Sequence, residues 1–246
     1  MASGLFRDRR GVAAVEFALL STFIFVPLII GLVEILTLFR SEAKLATMAA
    51  DTAEMVSIEA QSTTNNVTNV LATSTAATSL QDVCHGAVLG LQPLPATGMT
   101  LDIAGVTMES GPNGTTGKNV NSAAVTYDVW EQDFTVSGTT CTPSGASGIG
   151  ASAAEAYATS SPPSLTGTPG TSGLIEYPCD NAIVVQASMV YPGMIGLVLP
   201  SRPTLTQVSG TRWRYASPSG EIECTACSLS TVQSPQLCNT TNTGNN

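Results

Sequence analysis

Residues 17–33, FALLSTFIFVPLIIGLV, hold no charged side chain. As a helix this run covers roughly 25 Å, the short end of what crosses a bilayer, and the apolar residues at 12–15 and 35–39 lengthen it. No later stretch of the chain is comparable. One membrane-spanning helix near the N-terminus is therefore the first expectation, and it dictates how the rest is read.

Orientation follows from the flanking charges. Arg7, Arg9 and Arg10 precede the run, while Arg40 and Lys44 beyond it are balanced by Glu34 and Glu42. That asymmetry favours a cytoplasmic N-terminus and an exported C-terminal portion. The far end of the run, Val33 to Arg40, lacks the small-residue pattern at which a secretory signal is cut, so the segment is expected to stay with the protein. All six cysteines, Cys84, Cys141, Cys179, Cys224, Cys227 and Cys238, fall on the exported side, where disulfides persist.

Alanines and apolar residues three and four apart continue past the span, with no Gly or Pro between residues 33 and 60. This predicts one long helix whose outer half is amphipathic and packs on a domain. Pro27 lies inside it, either as a tolerated membrane proline or as a fitting element between subunits. Beyond residue 60, Val67, Val70, Leu71, Ala77, Cys84, Val88 and Leu91 suggest a second helix. Strand-like runs follow at 99–108, 123–136, 182–191 and 204–215, and residues 221–224 complete a sheet. Residues 137–172 are almost wholly Gly, Ser, Thr, Ala and Pro and read as a long surface loop. The fold class expected is α+β: a transmembrane helix continuing into an amphipathic one, packed on a small, mostly antiparallel sheet domain with long loops. Its divisions are a leader at 1–11, the helix at 12–60, an exported domain at 61–236 and a flexible tail at 237–246.

Composition removes several function classes. Charged residues make up 11% of the chain, and its net charge is -9 with nine basic residues scattered or confined to the leader, so a nucleic-acid surface is excluded. Cys224-Thr-Ala-Cys227 resembles a redox or zinc pair, yet His85 is the only histidine and no second Cys-x-x-Cys completes a ligand set; a structural disulfide is the preferred reading. Cys141 and Cys179 bracket the long loop, and a bridge between them would offset its chain entropy. Cys84 and His85 are adjacent and do not converge as a nucleophile pair on a helix. Asp128, Glu131 and Asp133 surround Trp130 without the dense oxygen spacing of a calcium loop and read as solvated strand-end charge. No catalytic motif, metal site or cofactor site is evident, and the chain is not expected to be an enzyme.

Glu16 stands at the near edge of the span, where a carboxylate in hydrocarbon costs about 2.5–3.5 kcal/mol. A plain reading pairs it with Arg9 or Arg10 at the headgroups. A sharper one starts from Gly11: cleavage between Gly11 and Val12 would expose an amine at the head of an apolar helix, with Glu16 as its fifth residue. In a stack of such helices, the carboxylate of one subunit could neutralise the amine of the next. Glu34, at the other end, is read either as a boundary residue in water, the favoured option, or as a second contact with a partner helix.

The string Gly11-Val-Ala-Ala-Val-Glu16-Phe17-Ala-Leu-Leu after a basic leader resembles the processing motif of type IV pilins and pseudopilins. With Pro27 inside the span and Glu34 near its end it is similar to the TadE-like family of the tight adherence (Flp, or type IVc) pilus system, and Tyr191-Pro192 with Pro200 and Pro203 loosely resembles that family's late strand region. The resemblance implies cleavage after Gly11 by a prepilin peptidase, with Glu16 and Phe17 in the assembly segment. It also implies partners among other pilins or pseudopilins, the inner-membrane assembly platform and the lipid bilayer. The implied location is the bacterial inner membrane, single-pass, with a periplasmic C-terminal domain that enters an extracellular pilus after assembly. Two other classes stay open: an unprocessed membrane-anchored periplasmic binding or scaffold protein, and an exported hydrolase with a site that spacing does not reveal.

Overall fold

A computed structural model describes residues 9–58, 62–64, 67–71, 79–109, 125–145, 181–191 and 202–214, with short pieces or single positions at 148–149, 154, 157, 174, 193, 222–225, 227 and 229–230. Side chains of α1, Arg9–Ile58, are described from Val15 onward. Two compact units divide the chain: Met1–Ser41 with Tyr191–Pro203, and Glu42–Val190 with Thr204–Asn246.

The first unit is built on the apolar part of α1, which remains helical through Pro27. It is long and apolar enough to cross a membrane, and almost none of that stretch is buried. Phe17, Phe23 and Phe39 are 74%, 81% and 61% exposed. Ser21 and Thr22 return their hydroxyls to the Ala18 carbonyl at 3.1 and 2.8 Å, so the polar side chains inside the run are satisfied within the helix.

The second unit begins with the outer turns of α1. Leu45, Met48, Ala49, Thr52, Ala53 and Val56 are buried, and their spacing of three and four puts them on one stripe. Thr52 sits in that stripe at no hydrogen-bond cost, because its hydroxyl donates to the Met48 carbonyl at 2.7 Å. Next to it in the same core lies α2, Leu80–Leu91. Ser79 caps α2, accepting from the Asp82 amide at 3.3 Å while its hydroxyl donates to the Asp82 carboxylate at 2.7 Å. Leu80, Val83, Cys84, Ala87, Val88 and Leu91 form its buried face.

Three segments read differently in the structure than in the sequence. Val67–Leu71, expected to begin the second helix, is a strand, β2, paired antiparallel with β1, Ser62–Thr64. Parallel pairing with β8, Ile222–Thr225, gives β2 a partner far along the chain, which overrides the helical spacing of Val67, Val70 and Leu71. So β8 belongs to this separate three-stranded sheet and not to the main one. Inside the supposed loop, Thr140–Gly145 forms β5, hairpinned to β4, Val125–Ser137, at Gly138, whose φ of 63° suits glycine.

The main sheet has β3, Thr100–Glu109, at its centre, flanked by β4 and β6, Asn181–Val190. With β7, Thr204–Arg212, and β5 at the edges the order is β5-β4-β3-β6-β7, antiparallel throughout, and β9, Leu229–Ser230, pairs with β4. Apolar side chains line both faces of β6, which fits its central, nearly continuous apolar run. One face, carrying Leu101, Ile103, Phe134, Ile183 and Val185, joins α1 and α2 in the larger core. Trp130 packs there directly over Gly105, where a Cβ would stand 2.4 Å from the indole. The opposite face holds a smaller core of Ala104, Val106, Ile149, Ala154, Ala182 and Val184. A register shift between Gly105 and Val106 interrupts the β3–β4 ladder.

The α+β class stands: a long N-terminal apolar helix and a small antiparallel sheet.

Candidate functional site

Gly11 and Val12 lie on the first turns of α1, and Glu16 and Phe17 follow on the same helix with both side chains exposed. Glu16 thus stands at the head of an apolar surface that is open along its length. A carboxylate placed so is tolerable in lipid only near the headgroups or opposite a positive charge.

Glu34 departs from its expected place in water. It is 1% exposed, while Val33, Ile35 and Leu36 beside it are open. Its enclosure comes from the returning segment at Tyr191 and Gly193. Tyr191 is buried, its hydroxyl lies 2.6 Å from Thr37 Oγ1, and it donates to the Glu34 carbonyl at 3.3 Å. The Thr37 hydroxyl also reaches that carbonyl, at 2.8 Å. Gly193 has a φ of 64°, and a Cβ there would stand 3.3 Å from Glu34 Oε1, so the backbone approaches the carboxylate closely. Sequence spacing could not bring residues 34 and 191 together, although the Tyr191-Pro192 pair was a visible signal.

A second polar cluster is buried in the other unit. Glu131 and Asp133 were expected as solvated strand-end charge; instead both are buried on the small-core face of β4, and the Asp128 side chain lies outside the described residues. Asp102, missed in the sequence, sits opposite Asp133 in the β3–β4 ladder and is also buried. Residues 148 and 149 roof the cluster: the Gly148 amide donates to Asp133 Oδ2 and the Ile149 amide to Glu131 Oε1, each at 2.9 Å. Gly148 lies so close over Asp102 that a Cβ would overlap its carboxyl. Burial, then the neighbouring Asp133 charge, pushes the Asp102 carboxyl up to about 7, against a hydrogen bond from Gln186 that pulls it down. Among the described residues no group of three or more His, Cys, Asp or Glu side chains is arranged to hold a metal ion.

The disulfides correct one expectation. Cys141 pairs with Cys84, not with Cys179, tying β5 to α2 across 57 residues of sequence. Gln81 supports the junction by donating to the Cys141 carbonyl at 2.9 Å, and His85 Nε2 accepts from the Cys141 amide at 3.2 Å. His85 therefore serves the backbone of this junction. Cys224 and Cys227 are bonded to each other. Cys179 and Cys238 lie outside the described residues.

Among the described residues, one N-terminal helix is long and apolar enough to cross a membrane, consistent with single-pass anchoring, and it is joined in the chain to a disulfide-bonded α+β body. No protein-family model, curated protein or solved structure matches it.

Proposed function

We propose that this chain is a membrane-inserted minor pseudopilin of a tight adherence pilus system. A prepilin peptidase cuts it between Gly11 and Val12 on the cytoplasmic side. The new Val12 amine of one subunit then pairs with Glu16 of a neighbour, and the α+β body is carried outward to take part in building an attachment fibre. Its partners are other pilins or pseudopilins, the assembly platform of the inner membrane and the bilayer, and it acts by assembly without catalysing a reaction.

The observation that supports this reading most is the position of Glu16. It is exposed, five residues beyond Gly11, at the head of a helix whose apolar side chains are exposed along the span. Such a surface needs either lipid or other helices against it, and a carboxylate at its head is most economically held by a charge from another subunit.

Mass spectrometry of the protein from its native host tests it directly. The expected mature chain starts at Val12, and Gly11→Val, which crowds the peptidase at the cut, should leave the full-length form as the main species. An intact start at Met1 or Ala2 in the functioning protein would instead place it among unprocessed membrane anchors.

A further inference from the structure

On the small-core face of the main sheet, Asp102 of β3 has Asp133 of β4 on one side and Gln186 of β6 on the other, with Glu131 two residues along β4. The three carboxyl side chains are each no more than 5% exposed. What covers them is one turn, open to water on its outer side at Gly148. Gly148 and Ile149 give consecutive backbone amides to Asp133 and Glu131, each at 2.9 Å, so the turn is fastened to the sheet by its main chain. The Gln186 side-chain amide stands between sheet and turn, donating to Asp102 Oδ2 and to the Gly148 carbonyl, each at 3.3 Å. Ile149 is buried in the small core with Ala104, Val106, Ala182 and Val184. The amides of the turn thus go to Asp133 and Glu131, whereas over Asp102 the Gly148 backbone lies so close that no Cβ would fit.

We propose that the Gly148–Ile149 turn is a proton-dependent strap, which seats on the sheet while Asp102 carries a proton and lifts when that proton leaves. Seated, the strap keeps water from Asp102, whose charged neighbours are the carboxylates of Asp133 and Glu131. Burial and then the Asp133 charge push its carboxyl up to about 7, and Glu131 adds to the effect. Protonated, Asp102 brings no third charge to the cluster. Ionised, it is one more negative charge beneath a backbone whose two amides already serve other carboxylates, and lifting the strap admits the water that solvates it. Tyr157, packed against the same core, has its hydroxyl pushed up from its ordinary value by burial and holds its proton throughout this range. With the strap lifted, Asp102 ionises near its ordinary value of about 4. The seated state therefore binds the proton more tightly, and the advantage this gives it is complete below about pH 4 and lost as pH rises through about 7. Between pH 6 and pH 8 the population of the lifted strap rises about tenfold by this linkage.

Hydrogen exchange of the full-length protein in detergent tests the strap, read by mass spectrometry on peptides spanning residues 148–149 and 183–185 and divided by the intrinsic exchange rate at each pH. At pH 8 the strap amides should be at least about tenfold less protected than those of β6, and moving to pH 6 should raise their protection about tenfold. Asp102→Asn, which cannot ionise, should hold the strap at one level of protection at both pH values. Gly148→Ala should leave the strap poorly protected at both while β6 stays protected, because the added methyl overlaps the Asp102 carboxyl. The proposal is overturned by strap protection that is the same at pH 6 and pH 8 in the parent, that changes equally in Asp102→Asn, or that survives in Gly148→Ala. Equal protection of strap and β6 at pH 8 would overturn it too, since the turn would then open only when the whole body unfolds. Should Asp102→Asn fail to fold, the parent's own pH dependence and Gly148→Ala decide the outcome.

Discussion

Asp102 shows how a single residue can couple a sheet to pH. Its carboxyl is buried against Asp133 and Glu131, and its pKa is raised to about 7. In the unfolded chain the same group ionises near pH 4. Between those values the folded protein holds the proton that the unfolded chain releases, so this residue's contribution to stability declines as pH rises from about 4 to about 7. Asp102→Asn keeps an amide oxygen for the Gln186 donor and removes the titration. Thermal unfolding of the detergent-solubilised protein should show the variant gaining roughly 2 kcal/mol over the parent at pH 8 relative to pH 5, a figure discounted for solvent screening. Equal pH profiles for the two proteins would show that Asp102 does not carry the proton. Strand alternation could have put Asp102 on one face with Ala104, but only the antiparallel register with β4 brings it opposite Asp133.

At the scale of elements, the Cys84–Cys141 bridge fastens α2 to the β5 edge of the main sheet. Replacing both cysteines by alanine should cost about 2–4 kcal/mol, measured by denaturant unfolding with the other cysteines left oxidised; a loss below about 0.5 kcal/mol would show that packing of α2 already supplies the constraint. Local patterns made much of this body readable. The apolar run gave α1 away, alternation located β3 and β4 to within a few residues, and a continuous apolar, β-branched run located β6. Misreadings fell where a distant partner decides the outcome. Val67, Val70 and Leu71 satisfy a helical template, yet β1 pairs with the first of them and residues 222–225 with the other two, which makes the segment a strand. Thr140 to Gly145 looked like low-complexity loop because its composition is polar, and its structure comes from the β4 edge it completes. The pairing of Cys141 and the concealment of Glu34 depend likewise on residues far away in sequence.

For the molecule as a whole, the proposed function turns on what Glu16 does when many copies meet. Glu16→Ala removes a charge from the head of the span and should leave membrane insertion intact, while recovery of the protein with its pilus partners falls by about tenfold or more in co-purification from native membranes. Undiminished recovery and normal pili would exclude an assembly role for this carboxylate. The placement of the two tryptophans has a practical bearing on all these measurements. Trp130, stacked over Gly105, and Trp213 are the only ones in the chain, and both are buried in the unit that contains the sheet. Intrinsic emission excited near the red edge of indole absorption therefore reports melting of the sheet-bearing body alone. The apolar helix, equipped with phenylalanines but no indole, stays dark to the same light, so unfolding outside the lipid can be followed without interference from what lies within it.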